Sequence, residues 1–281
     1  MKNGRFGFVN NKQKAIIKPA YTFAEPFAGG LAVVEKNLKF GYIDKKGKVI
    51  IPLVFSDAGS FSEGLAYIAA GGKYGYIDKS AKNVIACNYQ YAESFKNGLA
   101  RVRIENPDTS IYGKSREVYG LIDKNGKLLA EQWFSSISAT DTTMFRALIK
   151  NTEYSVDRSG KTEAVNKEKK PVDDTLKKNY SIVEEMPKFP GGDEGLMQFL
   201  KKNIHYPVSA KENGIQGVSY ISFVVKKTGL VDDVFVTRSS SPVLDKEALR
   251  VVKEMPGWVP GKQDGKTVNV QFTLPVRFQL N

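Results

Sequence analysis

The last stretch of the chain alternates without a break. Val268, Val270, Phe272, Leu274, Val276 and Phe278 are apolar, and Asn269, Gln271, Thr273, Pro275 and Arg277 stand between them. A period of two puts the two sets on opposite faces of a strand, one of them against a core. Ile221, Phe223 and Val225 share that period, and Val231, Val234 and Val236 mark a returning strand after a turn at 226–229, so this pair predicts a hairpin. Leu244, Ala248, Val251, Val252 and Met255 fall at helical spacing, and Pro256-Gly257 ends that helix. Upstream, Leu196, Phe199, Leu200 and Ile204 form another helical stripe, with Asp193 as its expected cap and Tyr206-Pro207 as its stop. SAKEN (209–213) reads as a short helix halted by Gly214. Strand, strand, helix, strand predicts an α+β domain over 183–281, a three-stranded antiparallel sheet with a helix packed on one face.

The first half has a longer rhythm. Aromatic–Gly pairs begin at Phe6, Phe40, Tyr74 and Tyr119, at steps of 34, 34 and 45 residues. Tyr21, Phe55 and Tyr89 keep the step, as do Phe27, Phe61 and Phe95, and Gly-Leu-Ala at 30–32, 64–66 and 98–100. A fixed period of this size marks a repeat architecture, in which each unit buries its apolar face on its neighbours, so the three phenylalanines should be core. The insert NPDTSIYGKSRE (106–117) lengthens the fourth unit, and the degenerate hairpin YSVDRSGKTEAV (154–165) closes the series. Within a unit the period is again two. In FGYIDKKGKVIIP, Phe40 and Tyr42, then Val49 and Ile51, flank Asp44-Lys45-Lys46-Gly47, a hairpin tip in which aspartate braces the turn and glycine accepts positive φ. A third run, LAVVE at 31–35, brings the expectation to about three short strands per unit. Residues 1–165 therefore read as an all-β repeat array. NKEKKPVDDTLKKNY (166–180), charged and aperiodic, opens a linker that ends at 182.

Composition narrows the chemistry. The 281 residues allow two domains with cores of their own, and 41% apolar with 26% charged is a globular balance. The chain has no run of about 18 apolar residues, and its basic first residues have no apolar stretch behind them, so neither a span nor a signal is expected in it. Cys87 is the one cysteine and His205 the one histidine, which leaves no internal disulfide and no basis for a Cys/His metal site or a Ser–His relay. The net charge is +12, but the lysines are scattered through turns with no arginine-rich stripe, so nucleic acid is not an expected partner. A basic surface suits anionic lipid or cell-wall polymer as well.

The turns do not read as ligand loops. They lack the alternating Asp/Asn series and distal glutamate of a calcium loop. GKS at 113–115 and GKT at 160–162 and 265–267 would each need a glycine five residues earlier for a phosphate loop, where the chain has Asp108, Ser155 and Pro260. Asp44, Asp78 and Asp123 are explained as turn residues rather than glycosidase acids. Tyr42, Tyr67 and Tyr76 could stack on a sugar, yet at the repeat period they read as packing between units. Trp258 reads as a core plug and His205 as a polar helix-end residue. No enzyme activity, cofactor or metal is expected.

The array, over about 4–165, resembles the bacterial WG-repeat family, whose units run aromatic–Gly–(Tyr/Phe)–Ile–Asp–x–x–Gly and later Phe–x–x–Gly–Leu–Ala. The tryptophan that names the family is Phe or Tyr in every unit here. The resemblance implies an all-β scaffold with a binding role, toward protein or glycan. Residues 183–280 resemble the C-terminal domain of the energy-transducer TonB family. Tyr206, Pro207, the Gly214-Ile215-Gln216-Gly217 run, the turn ending at Gly229, Leu244-Asp245-x-Glu247-Ala248, Trp258, Pro260, Gly261 and the final strand carry that match. It implies a periplasmic domain that grips an N-terminal peptide of an outer-membrane receptor by strand addition, so that inner-membrane energy opens the receptor. Inner-membrane energising proteins would be partners if an anchor precedes Met1, since the chain carries neither anchor nor Pro-rich spacer. The alternative is a cell-envelope adaptor whose repeats bind protein or glycan, with no part in energy transduction. A proline in a central strand deletes a ladder bond, so Pro275 marks the last strand as an edge. The expected docking edge is Thr267, Val268, Asn269, Val270, Gln271, Phe272 and Thr273.

Overall fold

The chain divides into two compact units, residues 1–138 with 143–165 and residues 139–142 with 166–281. The computed structural model describes residues 4–112, 117–130, 132–139, 144–150, 152–165, 179–180 and 183–280. The linker expected at 166–182 lies outside these residues except for Asn179 and Tyr180, which are strand.

The first unit is a succession of small antiparallel meanders. β1 (Phe6–Val9) and β2 (Ala15–Tyr21) form a two-stranded sheet among the described residues. β3 (Phe23–Ala24), β4 (Leu31–Lys36), β5 (Lys39–Asp44) and β6 (Val49–Phe55) form a four-stranded sheet in sequence order. β7 (Asp57–Ala58), β8 (Ala66–Ala70), β9 (Lys73–Ile77) and β10 (Asn83–Tyr89) repeat it. β11 (Tyr91–Ala92) and β12 (Ala100–Glu105) precede a short helix, α1 (Thr109–Tyr112), and then β13 (Glu117–Ile122) completes a three-stranded sheet. β14 (Ser136–Ala139), β15 (Met144–Ile149), β16 (Thr152–Asp157) and β17 (Thr162–Ala164) form the last. A complete sheet thus has four strands rather than about three. The extra one is a two-residue strand just past a corner, too short to show a period. The 34-residue sequence unit also straddles sheets. Its aromatic–Gly strand β5 and the following β6 close one sheet, while β7 and β8 open the next.

The repeated glycine has a steric cause. Opposite Gly7, Gly41 and Gly75 the neighbouring strand bulges: Tyr42 pairs with Ile51 but Phe40 with Phe55, so two steps on β5 face four on β6. The bulge drives a carbonyl into the space a side chain would occupy. A β-carbon at Gly41 would stand 2.7 Å from Ile51 O, at Gly75 2.5 Å from Ile85 O and at Gly7 2.3 Å from Ile17 O. The aromatic partners fill the core. Tyr42 stacks on Phe61 at 4.9 Å and Tyr76 on Phe95 at 4.8 Å, and their hydroxyls donate to Gly59 O and Glu93 O, each at 2.7 Å. Phe61 and Phe95 are buried as expected, whereas Phe27 is only half-buried, next to the sheet that has two strands.

The second unit holds β18 (Asn179–Tyr180), α2 (Gly192–Asn203), α3 (Val208–Glu212), β19 (Gly217–Val225), β20 (Val231–Arg238), α4 (Pro242–Lys253), β21 (Gly261–Gln263) and β22 (Lys266–Phe278). Its strand order is β18-β22-β19-β20, with β21 beside β22. β20, β19 and β22 are the predicted antiparallel sheet, and two short strands are added at β22. α4 packs on β19 and β20, burying Leu244, Ala248, Val251 and Val252. Its cap is Ser241, whose hydroxyl accepts from Leu244 N–H at 3.3 Å, with Pro242 at the first turn. The expected cap of α2 is corrected: Gly191, at φ 79°, starts the helix, and Asp193 lies in its first turn. There its charge complements the helix dipole.

Candidate functional site

The residues carrying the C-terminal motif turn out to be framework. Trp258, 5% exposed, lies between Phe189 at 5.4 Å, Phe223 at 5.6 Å and Phe272 at 5.4 Å, which makes it the expected plug. The Gly229 turn closes on it, and Trp258 N–H donates to Gly229 O at 2.8 Å. Tyr206 packs edge-on against Phe278 at 5.9 Å and donates to Ile215 O at 2.6 Å. Pro207 starts α3. Pro260 is half-buried. At Gly261 a β-carbon would meet Val270 at 2.7 Å, and at Gly217 it would meet the Ser240 hydroxyl at 1.9 Å. Asp245 ties this framework together: it accepts from Ser219 Oγ at 2.5 Å, from the Ser240 N–H at 3.1 Å and from the Ser239 hydroxyl. His205 follows the end of α2, with its backbone N–H on Glu247 at 2.6 Å and its side chain exposed. Of these, Tyr206, Trp258 and Gly261 pack directly against β22.

The open edge expected over Thr267–Thr273 is corrected. Thr267 and Val268 pair with Lys262 and Gly261 of β21. Asn269 and Val270 pair in parallel with Asn179 and Tyr180 of β18. From Val270 to Phe278 the strand is also paired, antiparallel, with β19. Val270 therefore has a neighbour on each side. Beyond Val270, from Gln271 through Phe278, no strand pairs with β22 on the flank opposite β19 among the described residues. Pro275 sits within it, with Tyr220 across from it on β19. Opposite β19, Pro275 has no strand beside it among the described residues, whereas Asn269 and Val270 are paired with β18. The missed residues are Asn179, Tyr180 and Val183. Their signal is the short β-prone run YSIV at 180–183, placed directly after a charged segment.

In the array, the turn aspartates brace backbone. Asp44 Oδ1 accepts from the Lys46 and Lys48 N–H groups, both at 2.9 Å, and Gly47 completes the turn at φ 84°. Asn10, Asp78, Asp123 and Asp157 do the same in their units. The Ser80 hydroxyl, donating to Asp78 at 2.6 Å, holds that exposed carboxyl below its ordinary range, the opposite of what a proton donor needs. Tyr42 and Tyr76 are fully buried and offer no face to a sugar. No helix among the described residues is long and apolar enough to cross a membrane.

The model of the Gram-negative bacterial TonB protein C-terminal matches residues 202–280. That of the WG containing repeat matches 6–39, 40–74 and 74–106. No curated protein matches the chain. Among solved structures it is similar to virginiamycin B lyase from Staphylococcus aureus, at 15% identity over 60% of this chain and 64% of that one, with a TM-score of 0.34. The extracellular domain of a hybrid two component system from B. thetaiotaomicron is 15% identical over 57% of this chain and 24% of its own, with a TM-score of 0.29. Regucalcin from Agrobacterium tumefaciens, titled a calcium-binding protein, is 14% identical over 53% and 61%, with a TM-score of 0.28. The chain spans less than two thirds of each of these proteins, and at TM-scores this low the likeness carries no argument. The family matches do: the chain carries WG-containing repeats within residues 6–106 and a TonB C-terminal domain over residues 202–280.

Proposed function

We propose that this is a non-enzymatic cell-envelope protein of the periplasm. Its C-terminal unit binds an extended N-terminal peptide of an outer-membrane receptor by adding it as a strand to β22, in TonB-dependent transport. The observation that carries the reading is the flank of β22 from Gln271 to Phe278, unpaired opposite β19 among the described residues, on a strand whose inner face is locked to the core. Such a flank offers main-chain donors and acceptors in register for a peptide. Each bond contributes about 0.5–1.5 kcal/mol net, and ordering a free peptide costs roughly 1–2 kcal/mol per residue, so apolar contacts must supplement the ladder and the complex is weak to moderate. Recognition through backbone tolerates side-chain change in the peptide, and Pro275, lacking an N–H, limits the ladder.

Cross-linking tests it. In the full chain with Cys87→Ser, a cysteine at Thr273, exposed on β22, should form a disulfide with a receptor N-terminal peptide carrying one cysteine. A cysteine at Asp232, on the β20 edge at the other end of the sheet, should not. Equal yields at the two positions contradict the assignment.

A further inference from the structure

Lysines that lie far apart in the sequence come into register on the array. Each turn runs from a bracing Asn or Asp to a lysine four residues on: Asn10 to Lys14, Asp44 to Lys48, Asp78 to Lys82, Asp123 to Lys127 and Asp157 to Lys161. The brace's side chain accepts from that lysine's N–H, and its own N–H donates to the lysine's carbonyl, at 2.9–3.1 Å throughout. The backbone of each lysine is thereby fixed while its side chain stays exposed.

Successive turns are also neighbours. A β-carbon at Gly47, beside Lys48, would stand 3.3 Å from Ile17, three residues after Lys14. One at Gly126, beside Lys127, would stand 3.2 Å from Ile85, three residues after Lys82. The residue after each brace reaches back to an earlier unit in the same way. Lys79 Nζ lies 2.8 Å from where a β-carbon on Gly29 would stand, Lys124 Nζ is 3.2 Å from Glu63, and Arg158 donates to Asn97 O at 2.8 Å. Gly29, Glu63 and Asn97 hold one position in three consecutive repeats, so the step from turn to turn recurs. Lys161 is paired with Glu163 at 2.7 Å, whereas Lys14, Lys48, Lys82 and Lys127 make no ion pair among the described residues. Two residues beyond the first three stand exposed aliphatics, Ile16, Ile50 and Val84, at 54, 41 and 39%. They lie on β2, β6 and β10, each the edge strand of its sheet. One edge of the array therefore repeats cation, aliphatic, cation.

We propose that this edge binds a linear anionic glycan, its acidic groups on Lys14, Lys48, Lys82 and Lys127 and the carbon faces of its sugar rings on Ile16, Ile50 and Val84. The site is separate from the docking flank of β22 and stands whether or not that flank takes a peptide. Packed sheets stand about 10 Å apart, so one lysine per sheet suits a polymer whose charges recur at roughly that interval. Duplex DNA carries a charge about every 1.7 Å of its axis, far denser than this row. An anionic bilayer presents charge over an area, whereas these cations come one to a sheet. Each exposed contact alone is weak, so affinity comes from repetition and should rise with polymer length until all four lysines are engaged.

The probe is a hyaluronan oligosaccharide, which carries one carboxylate per disaccharide, titrated into the full chain by calorimetry. Lys48→Gln with Lys82→Gln should weaken binding about tenfold and flatten its salt dependence. The turns survive these changes because backbone groups hold both positions. Lys48→Arg with Lys82→Arg should bind as the unaltered chain does. Lys201→Gln with Lys202→Gln removes the same charge from exposed positions of α2 and should leave binding unchanged. Hyaluronan with its carboxylates methyl-esterified should not bind. Equal losses from the two Gln pairs would reduce the edge to general charge attraction and overturn the proposal. Absence of hyaluronan binding, or tighter binding to duplex DNA or to vesicles of phosphatidylglycerol and phosphatidylcholine, overturns it as well.

Discussion

The array and the C-terminal unit bury the same kind of strand by opposite means. In the array one device recurs: a glycine opposite a bulge, an aspartate under a turn, an aromatic stacked on the next unit's phenylalanine. In the C-terminal unit each device occurs once, and they converge on Trp258 and Asp245. Repetition spreads stability over many equivalent contacts, so a defect stays local. Phe27 is half-buried, and Ala81 and Gln13 hold φ of 66° and 60° where the turns of Asp44, Asp123 and Asp157 have glycine, yet the sheets around them persist. A unit with one plug has no such margin. What it gains is a long strand, β22, that from Gln271 to Phe278 has no strand opposite β19 among the described residues.

This comparison is easiest to break at its strongest points. Trp258→Ala should have the largest effect, about 3–5 kcal/mol, and should abolish the cooperative unfolding of the C-terminal unit alone. Two-transition denaturation, with the array transition unmoved, is the expected result; a loss shared by both units would refute their independence. Gly75→Ala comes next. A methyl 2.5 Å from Ile85 O must push the bulge aside, at about 1–3 kcal/mol, with hydrogen exchange rising only in the sheet that holds β9 and β10. Asp44→Ala removes an acceptor shared by two N–H groups and should cost about 1 kcal/mol by thermal melting.

Acid reaches two of the turns. The Asp78 and Asp157 carboxyls are held below the ordinary aspartate range, chiefly by the Ser80 and Ser159 hydroxyls. A depressed carboxyl stabilises the fold above its unfolded pKa, and the contribution disappears as pH falls through the folded value. Array stability measured against pH should therefore decline below about pH 4, where unfolded aspartate takes up its proton. The smallest effect is a gain: Ala81→Gly should relieve the left-handed backbone and stabilise the array by roughly 0.5 kcal/mol.

How much could be read from the residues follows the same division. Periods of two and of 34 predict strands, turns and the buried Phe61 and Phe95, because each depends on local steric rules repeated in register. The bulge behind each glycine was not legible, since it is a relation between strands. Nor was the occupied end of β22. The alternation of Val268 to Phe278 shows which face is buried but not which neighbour lies on each flank, and a two-residue strand such as β18 is too short to have a period. Pro275 reported only on its own position. The C-terminal motif residues were legible as a set, but their role as packing around Trp258 required the contacts.

The docking flank is tested most directly by amide hydrogen exchange on the full chain, with and without a receptor N-terminal peptide. The account predicts that protection rises from Gln271 to Phe278 on β22, while the array is unchanged. Protection rising along β20 or in the repeat turns, with β22 unaffected, would contradict it.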